Sequence, residues 1–196
     1  MSMLLKFFGP GVAACAAERF AVRLYAPESF TSSGGYGLPK LYGGVIAVNV
    51  VYSTFTMLSL GFRVGKARRE AIEKAKKDGN DPDAEARYSL PKMQAEGFSE
   101  DAKKFNCIQR GHQQALETYG SFLALSLIGG LAQPIVTIVS GLLWSYSRIR
   151  WADGYSTGDP MARYEKSGGW GRHVWTALGN LMVASTCTAL VVGGIL

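Results

Sequence analysis

The sequence predicts an all-α integral membrane protein, a four-helix transmembrane bundle. Three observations predict it. First, 47% of the 196 residues are hydrophobic, and they are concentrated in four blocks, 41–62, 108–132, 134–155 and 173–196. About 20 apolar residues suffice to cross a bilayer as a helix. Second, the positive charge is segregated. Eleven Lys or Arg lie between positions 63 and 104, seven of them between 63 and 77. Arg148, Arg150, Arg163, Lys166 and Arg172 flank the link between the third and fourth blocks, whereas the Gln133-Pro134 hairpin has no charge. In a four-span topology both cationic segments fall on one face, which the positive-inside tendency assigns to the cytosol or the mitochondrial matrix. Third, breakers punctuate the blocks: Gly79-Asn-Asp-Pro82, Pro134, Thr157-Gly-Asp-Pro160 and Gly168-Gly-Trp-Gly171.

Residues 1–40 form an N-terminal extension. Its apolar start, Met3-Leu-Leu-Lys-Phe-Phe8, is expected to break at Gly9-Pro-Gly11. The segment 13–25 then reads either as an amphipathic interfacial helix or, with Arg19 and Arg23 and few acids, as resembling a mitochondrial targeting segment. Residues 31–37 read as a loop. The domain proper is 41–196. Its first helix starts near Leu41 and continues past Phe62 as a charged helix to about Lys77. Asn49, its one strongly polar apolar-block residue, is expected to hydrogen-bond to a neighbouring helix. The loop 63–104 is polar, and Ser99-Glu-Asp101 reads as the acid-rich start of the second helix. The third helix begins at Pro134 and runs to about Tyr155. Trp144, Arg148, Trp151 and Tyr155 share one of its faces, read as an interfacial aromatic belt with snorkelling arginines. Arg150 and Asp153 are spaced to pair. The fourth helix has no ionisable residue after His173 and reads as a packing or lipid-facing span.

The second helix carries the chemistry. At about 100° per residue, Asn106, Arg110, Gln113, Gln114 and Glu117 share one stripe, and His112 points the opposite way. Charges in such a segment normally face a bundle interior or a water-filled cavity. A bare Arg–Glu lock between helices needs fewer polar groups than these. Together with Arg68, Arg69, Arg148, Arg163, Trp151 and Tyr155 they form a set rich in carboxylate binders, with one fixed anion, Glu117, to accept an amine. A ligand with two carboxylates and one amine, of tripeptide size, would use them all. No metal-ligand set, phosphate loop or Ser–His–acid spacing competes. Cys15, Cys107 and Cys187 show no redox or zinc spacing and read as small apolar-site residues. The net charge of +6 needs no nucleic acid, because no basic groove with interleaved aromatics accompanies it.

The run Phe105-Asn-Cys-Ile-Gln-Arg-Gly-His-Gln-Gln-Ala-Leu-Glu-Thr-Tyr119 resembles the signature of the membrane-associated proteins in eicosanoid and glutathione metabolism (MAPEG). It is most similar to that family's microsomal glutathione transferases of the third type. Gly65-Lys-Ala-Arg-Arg69 resembles the basic end of the family's first helix, and residues 148–155 with Ser156-Thr-Gly-Asp-Pro160 resemble the end of its third. The resemblance covers about 41–196 and implies a trimer of four-helix subunits with glutathione, the co-substrate, bound between neighbours. It implies that Arg110, Gln114 and Glu117 hold the glutathione backbone, that Trp151 and Tyr155 line the pocket, and that Arg68 and His112 reach in from the adjacent subunit. Arg163 would stabilise the glutathione thiolate, with Arg69 assisting. Gln114 stands where the family usually has Asn, Thr118 where some members have Tyr, and Trp151 where Tyr is common.

Two functions follow as expectations. One is a glutathione-dependent membrane transferase or peroxidase acting on lipophilic electrophiles or lipid hydroperoxides, in the endoplasmic reticulum or a mitochondrial membrane. The other is a non-catalytic accessory subunit of the same fold, held by unrelated chains of a larger membrane assembly such as a mitochondrial respiratory complex. The extension and the large 70–98 loop motivate the second.

Overall fold

The computed structural model describes residues 3–25, 35–79, 83–89, 93–97 and 99–196. The expected loop over 31–34 lies outside them. The elements are helices: α1 Met3–Tyr25, α2 Tyr42–Asp78, α3 Ala84–Tyr88, α4 Glu100–Gly129, α5 Pro134–Tyr155, α6 Ala162–Glu165 and α7 His173–Val192. α2, α4, α5 and α7 overlap the four apolar blocks of the sequence, and α1 is a fifth long helix, in the N-terminal extension. Ser99 Oγ accepts the Ala102 amide at 3.1 Å and caps α4, with Glu100 and Asp101 in the first turn. Gly158, at φ 87°, follows the end of α5 in a conformation only glycine adopts freely. Among the described residues, two helices are long and apolar enough to cross a membrane, Tyr42–Asp78 and Trp170–Val192.

The chain divides into two compact units. The first comprises Met1–Thr54, Thr118–Ser147 and Arg172–Leu196. Here α1 differs from its sequence reading, since it runs unbroken through Gly9, Pro10 and Gly11. Packing overrides the local breakers. A Cβ on Gly11 would lie 3.0 Å from the Asn180 Cα, and one on Gly179 would lie 2.9 Å from the Phe7 carbonyl oxygen. The two glycines therefore let α1 and α7 approach backbone to backbone. Glu18, 7% exposed, completes the docking. Its carboxylate accepts the Ile135 amide at 3.0 Å and the Val136 amide at 2.8 Å. These are the first amides α5 offers after Pro134, and they lie at the positive end of the helix dipole.

Replacing Glu18 with Ala leaves the buried Val136 amide and the part-buried Ile135 amide without this acceptor. It should cost about 1–3 kcal/mol of stability, read as a lower melting temperature in detergent and faster proteolysis of α1. Unchanged melting and cleavage would show that α1 docks without it.

Asn49 fulfils its expected role. It is fully buried and its side-chain amide donates to Ser126 Oγ at 2.9 Å and the Thr137 carbonyl at 3.0 Å. The helix widens to a π-helical turn over Ile46–Tyr52, which carries Asn49. Trp144 departs from the aromatic-belt reading. It is fully buried, and its ring stacks on Phe122 at 4.1 Å and on Tyr119 at 5.7 Å. The same residue types serve a belt or a core, and here the aromatic neighbours one helix away decide for the core.

The second unit comprises Phe55–Glu117 and Arg148–Gly171. The segments 83–89 and 93–97 lie as a strap on α2 and α4. Tyr88, Ala95, Ala102 and Phe105 form a buried cluster, against which Ala67, Ala71 and Ile72 pack.

Candidate functional site

The residues that the sequence singles out for a site, Arg68, Arg69, Asn106, Arg110, His112, Gln113, Gln114, Glu117, Arg148, Trp151, Tyr155 and Arg163, all fall in this second unit. On α4 the predicted stripe exists, and its members have distinct partners. Arg110 grips Glu117 with two hydrogen bonds, Nη1 to Oε1 at 2.5 Å and Nη2 to Oε2 at 3.2 Å. The spacing of seven residues is two helical turns, so both side chains project from one face. The two side chains are about half exposed, which leaves the pair open to a ligand. Gln114, one stripe position over, accepts a hydrogen bond from the Arg148 guanidinium.

Arg148 is 1% exposed, so it does not snorkel. Its guanidinium lies 5.9 Å from the Trp151 ring, and Trp151 is itself buried. Arg163 sits among three rings, 5.7 Å from Trp151, 5.6 Å from Tyr155 and 4.8 Å from Tyr164, and donates to the Pro160 carbonyl at 2.5 Å. Tyr164 was not legible as a site residue, and only its position next to Arg163 hints at it. The expected pairing of Arg150 with Asp153 forms at 3.2 Å, and Asp153 also takes Arg63 at 2.6 Å.

A cavity of about 460 Å³ opens on this face, lined by Met93, Lys103, Cys107, Arg110, Gln113 and Tyr155 among others. Two of these, Met93 and Lys103, escaped the sequence reading. Met93 comes from the strap, whose docking uses polar groups that the stripe had offered to a ligand. Asn106 exchanges two hydrogen bonds with the Ala95 backbone, at 2.7 and 2.9 Å. Gln109 and Gln113 donate to the Met93 carbonyl. Arg68 donates to the Tyr88 carbonyl and stands 5.1 Å from the Phe105 ring. It is therefore brought to the strap rather than to Arg110.

His112 faces the other way, as its helical position requires. It touches α2 where a Cβ on Gly61 would lie 3.5 Å from its Nε2, and it lines a separate cavity of about 210 Å³ with Arg63 and Ala152. Arg69 lies exposed on α2.

The seat of Arg163 depends on Gly154. A Cβ there would fall 2.6 Å from both the Ala162 carbonyl oxygen and the Arg163 Cα. Backbone atoms cannot swing aside as a side chain does, so Gly154→Ala must push the 162–163 turn away from α5. The expected cost is about 1–3 kcal/mol, with a changed Trp emission spectrum as Arg163 leaves the Trp151 ring. A variant with wild-type melting and emission would contradict this packing.

Chemically, the site offers a bidentate guanidinium–carboxylate pair whose guanidinium lines a cavity, a second guanidinium, buried and fixed by Gln114, and a third held against aromatic faces. Such sets recognise carboxylates and an ammonium together. No solved structure matches the chain. The family model of the MAPEG family matches residues 46–187, which include every residue of the site, and with two helices fit to cross a membrane the chain belongs to the MAPEG family of membrane proteins.

Proposed function

We propose that the protein binds glutathione in the second unit and transfers it to lipophilic electrophiles, or uses it to reduce lipid hydroperoxides. The observation that carries this reading is Arg110, which lines the 460 Å³ cavity and pairs with the half-exposed Glu117. Glutathione has two carboxylates and one ammonium, and the pair supplies one partner of each sign. In this reading Arg110, Gln114 and Glu117 hold the peptide backbone, with Trp151 and Tyr155 along the pocket. Arg163 stabilises the thiolate, and Arg69 assists. Arg68 and His112 serve a neighbouring subunit of a homotrimer, which suits the opposite direction of His112. The thiolate attacks the electrophilic carbon or the peroxide oxygen of a substrate that arrives from the lipid.

The test is turnover by the purified protein in detergent, with glutathione and either a halonitrobenzene or a lipid hydroperoxide. Conjugate or lipid alcohol should form in proportion to enzyme. A second reading, the accessory subunit of a larger assembly, draws on α1. This helix precedes the matched residues and exposes Met3, Leu4, Leu5, Phe20, Leu24 and Tyr25. Protein that binds glutathione without turnover, and leaves a native membrane in one particle with unrelated chains, would favour that reading.

A further inference from the structure

A second cavity, of about 550 Å³, lies in the first unit between α1 and α7. Its lining is apolar but for Thr186, one cation and two thiols: Phe8, Met182 and Leu190 are typical, and Arg19, Cys15 and Cys187 are the exceptions. Cys15 is 2% exposed and sits in a buried cluster with Val136 and Ala184, against which Cys187 packs half-buried. Both thiols line this one cavity. They come from helices that Gly11 and Gly179 bring to backbone contact. A disulfide requires Cα atoms about 4.4–6.8 Å apart, a range that helices in backbone contact can reach. No disulfide joins them. The sequence alone, with 171 residues between them, gave no sign of the pair.

We propose that Cys15 and Cys187 are a dithiol site that a fatty-acid hydroperoxide oxidises to a disulfide. The chemistry of the cavity selects the oxidant. Its walls take an acyl chain, and Arg19 offers a guanidinium to a carboxylate. Among the described residues Arg19 has no acid partner, because the adjacent Glu18 is engaged by the α5 amides. Cys187, the more exposed thiol, attacks the terminal peroxide oxygen as thiolate. The O–O bond breaks, the alkoxide takes the thiol proton and leaves as the alcohol, and Cys187 becomes a sulfenic acid. Cys15 sulfur then attacks the Cys187 sulfur. The hydroxyl leaves as water with the Cys15 proton. Two thiols lose two hydrogens, and one hydroperoxide becomes one alcohol and one water. The product is a covalent staple between α1 and α7.

The experiment treats the full-length protein in detergent with a C18 fatty-acid hydroperoxide, its methyl ester and diamide, and reads intact mass and tryptic peptides. The acid should produce a loss of two hydrogens, a linked peptide pair containing Cys15 and Cys187, and one alcohol per chain. Cys15→Ser should stop at a Cys187 sulfenic acid that dimedone traps, and Cys187→Ser should give neither product. Arg19→Gln should slow the acid by about tenfold while leaving the methyl ester unchanged. No linked pair even with diamide would show that the thiols cannot meet and would overturn the site. Linkage by diamide but by neither hydroperoxide, or equal sensitivity of acid and ester to Arg19→Gln, would overturn the assigned oxidant.

Discussion

Glu117→Ala is expected to weaken glutathione binding by about ten- to hundredfold, or 1–3 kcal/mol. The variant removes the only carboxylate in the Arg110, Gln114 and Glu117 group, so the ligand ammonium loses its partner and Arg110 loses the group that orients it. The fold should survive. The pair is about half exposed, and exposed ion pairs contribute only about 0–1 kcal/mol to stability. The effect should thus show in calorimetric titration with little change in melting temperature. Glu70, which meets Lys66 at 3.7 Å on the exposed side of α2, provides the control. Glu117→Ala and Glu70→Ala with equal dissociation constants would remove the carboxylate from the proposed site.

Arg163→Leu is expected to abolish the glutathione thiolate while leaving affinity nearly intact. A free thiol titrates near 8.5. Mostly thiolate at neutral pH therefore needs a depression of about 2 units, or about 2.7 kcal/mol of differential stabilisation. A cation held beside three rings is poorly hydrated on those sides, and a charge interacts more strongly where water is excluded. Leucine keeps the apolar contact with Trp151, Tyr155 and Tyr164 and removes only the charge. The rate of conjugation should fall with the thiolate, by about a hundredfold. If the thiolate persists in the variant, another group stabilises it, and Arg163 is a structural cation stacked on its neighbours.

Much of the fold was legible because hydropathy and breakers are local signals. Pro134, Ser99 with its acids, and Thr157-Gly-Asp-Pro160 mark helix ends through backbone chemistry that needs no distant partner. Asn49 was legible too, since a lone amide in an apolar helix has few ways to be satisfied. What failed was whatever depended on an unseen neighbour. α1 contains Pro10 between two glycines and reads as broken; its continuity comes from α7, through close contacts at Gly11 and Gly179. Trp144 and Arg148 have the residue types of a membrane interface, and only Phe122, Tyr119 and Gln114 show that they are interior.

In the site, the helical stripe correctly grouped Arg110 with Glu117 and set His112 apart. It could not tell which amides face a ligand. Asn106 and Gln113 are satisfied by the strap backbone, as is Arg68. An amide that binds a peptide ligand and one that binds the protein's own backbone look the same in sequence.

The most direct test of glutathione binding in the second unit is an ultraviolet difference titration of the wild-type protein with glutathione near neutral pH. The account predicts a thiolate band that rises to saturation and is displaced by an S-alkyl glutathione, which fills the same site without a free thiol. A flat difference spectrum, together with no competition between the two ligands in calorimetry, would contradict it.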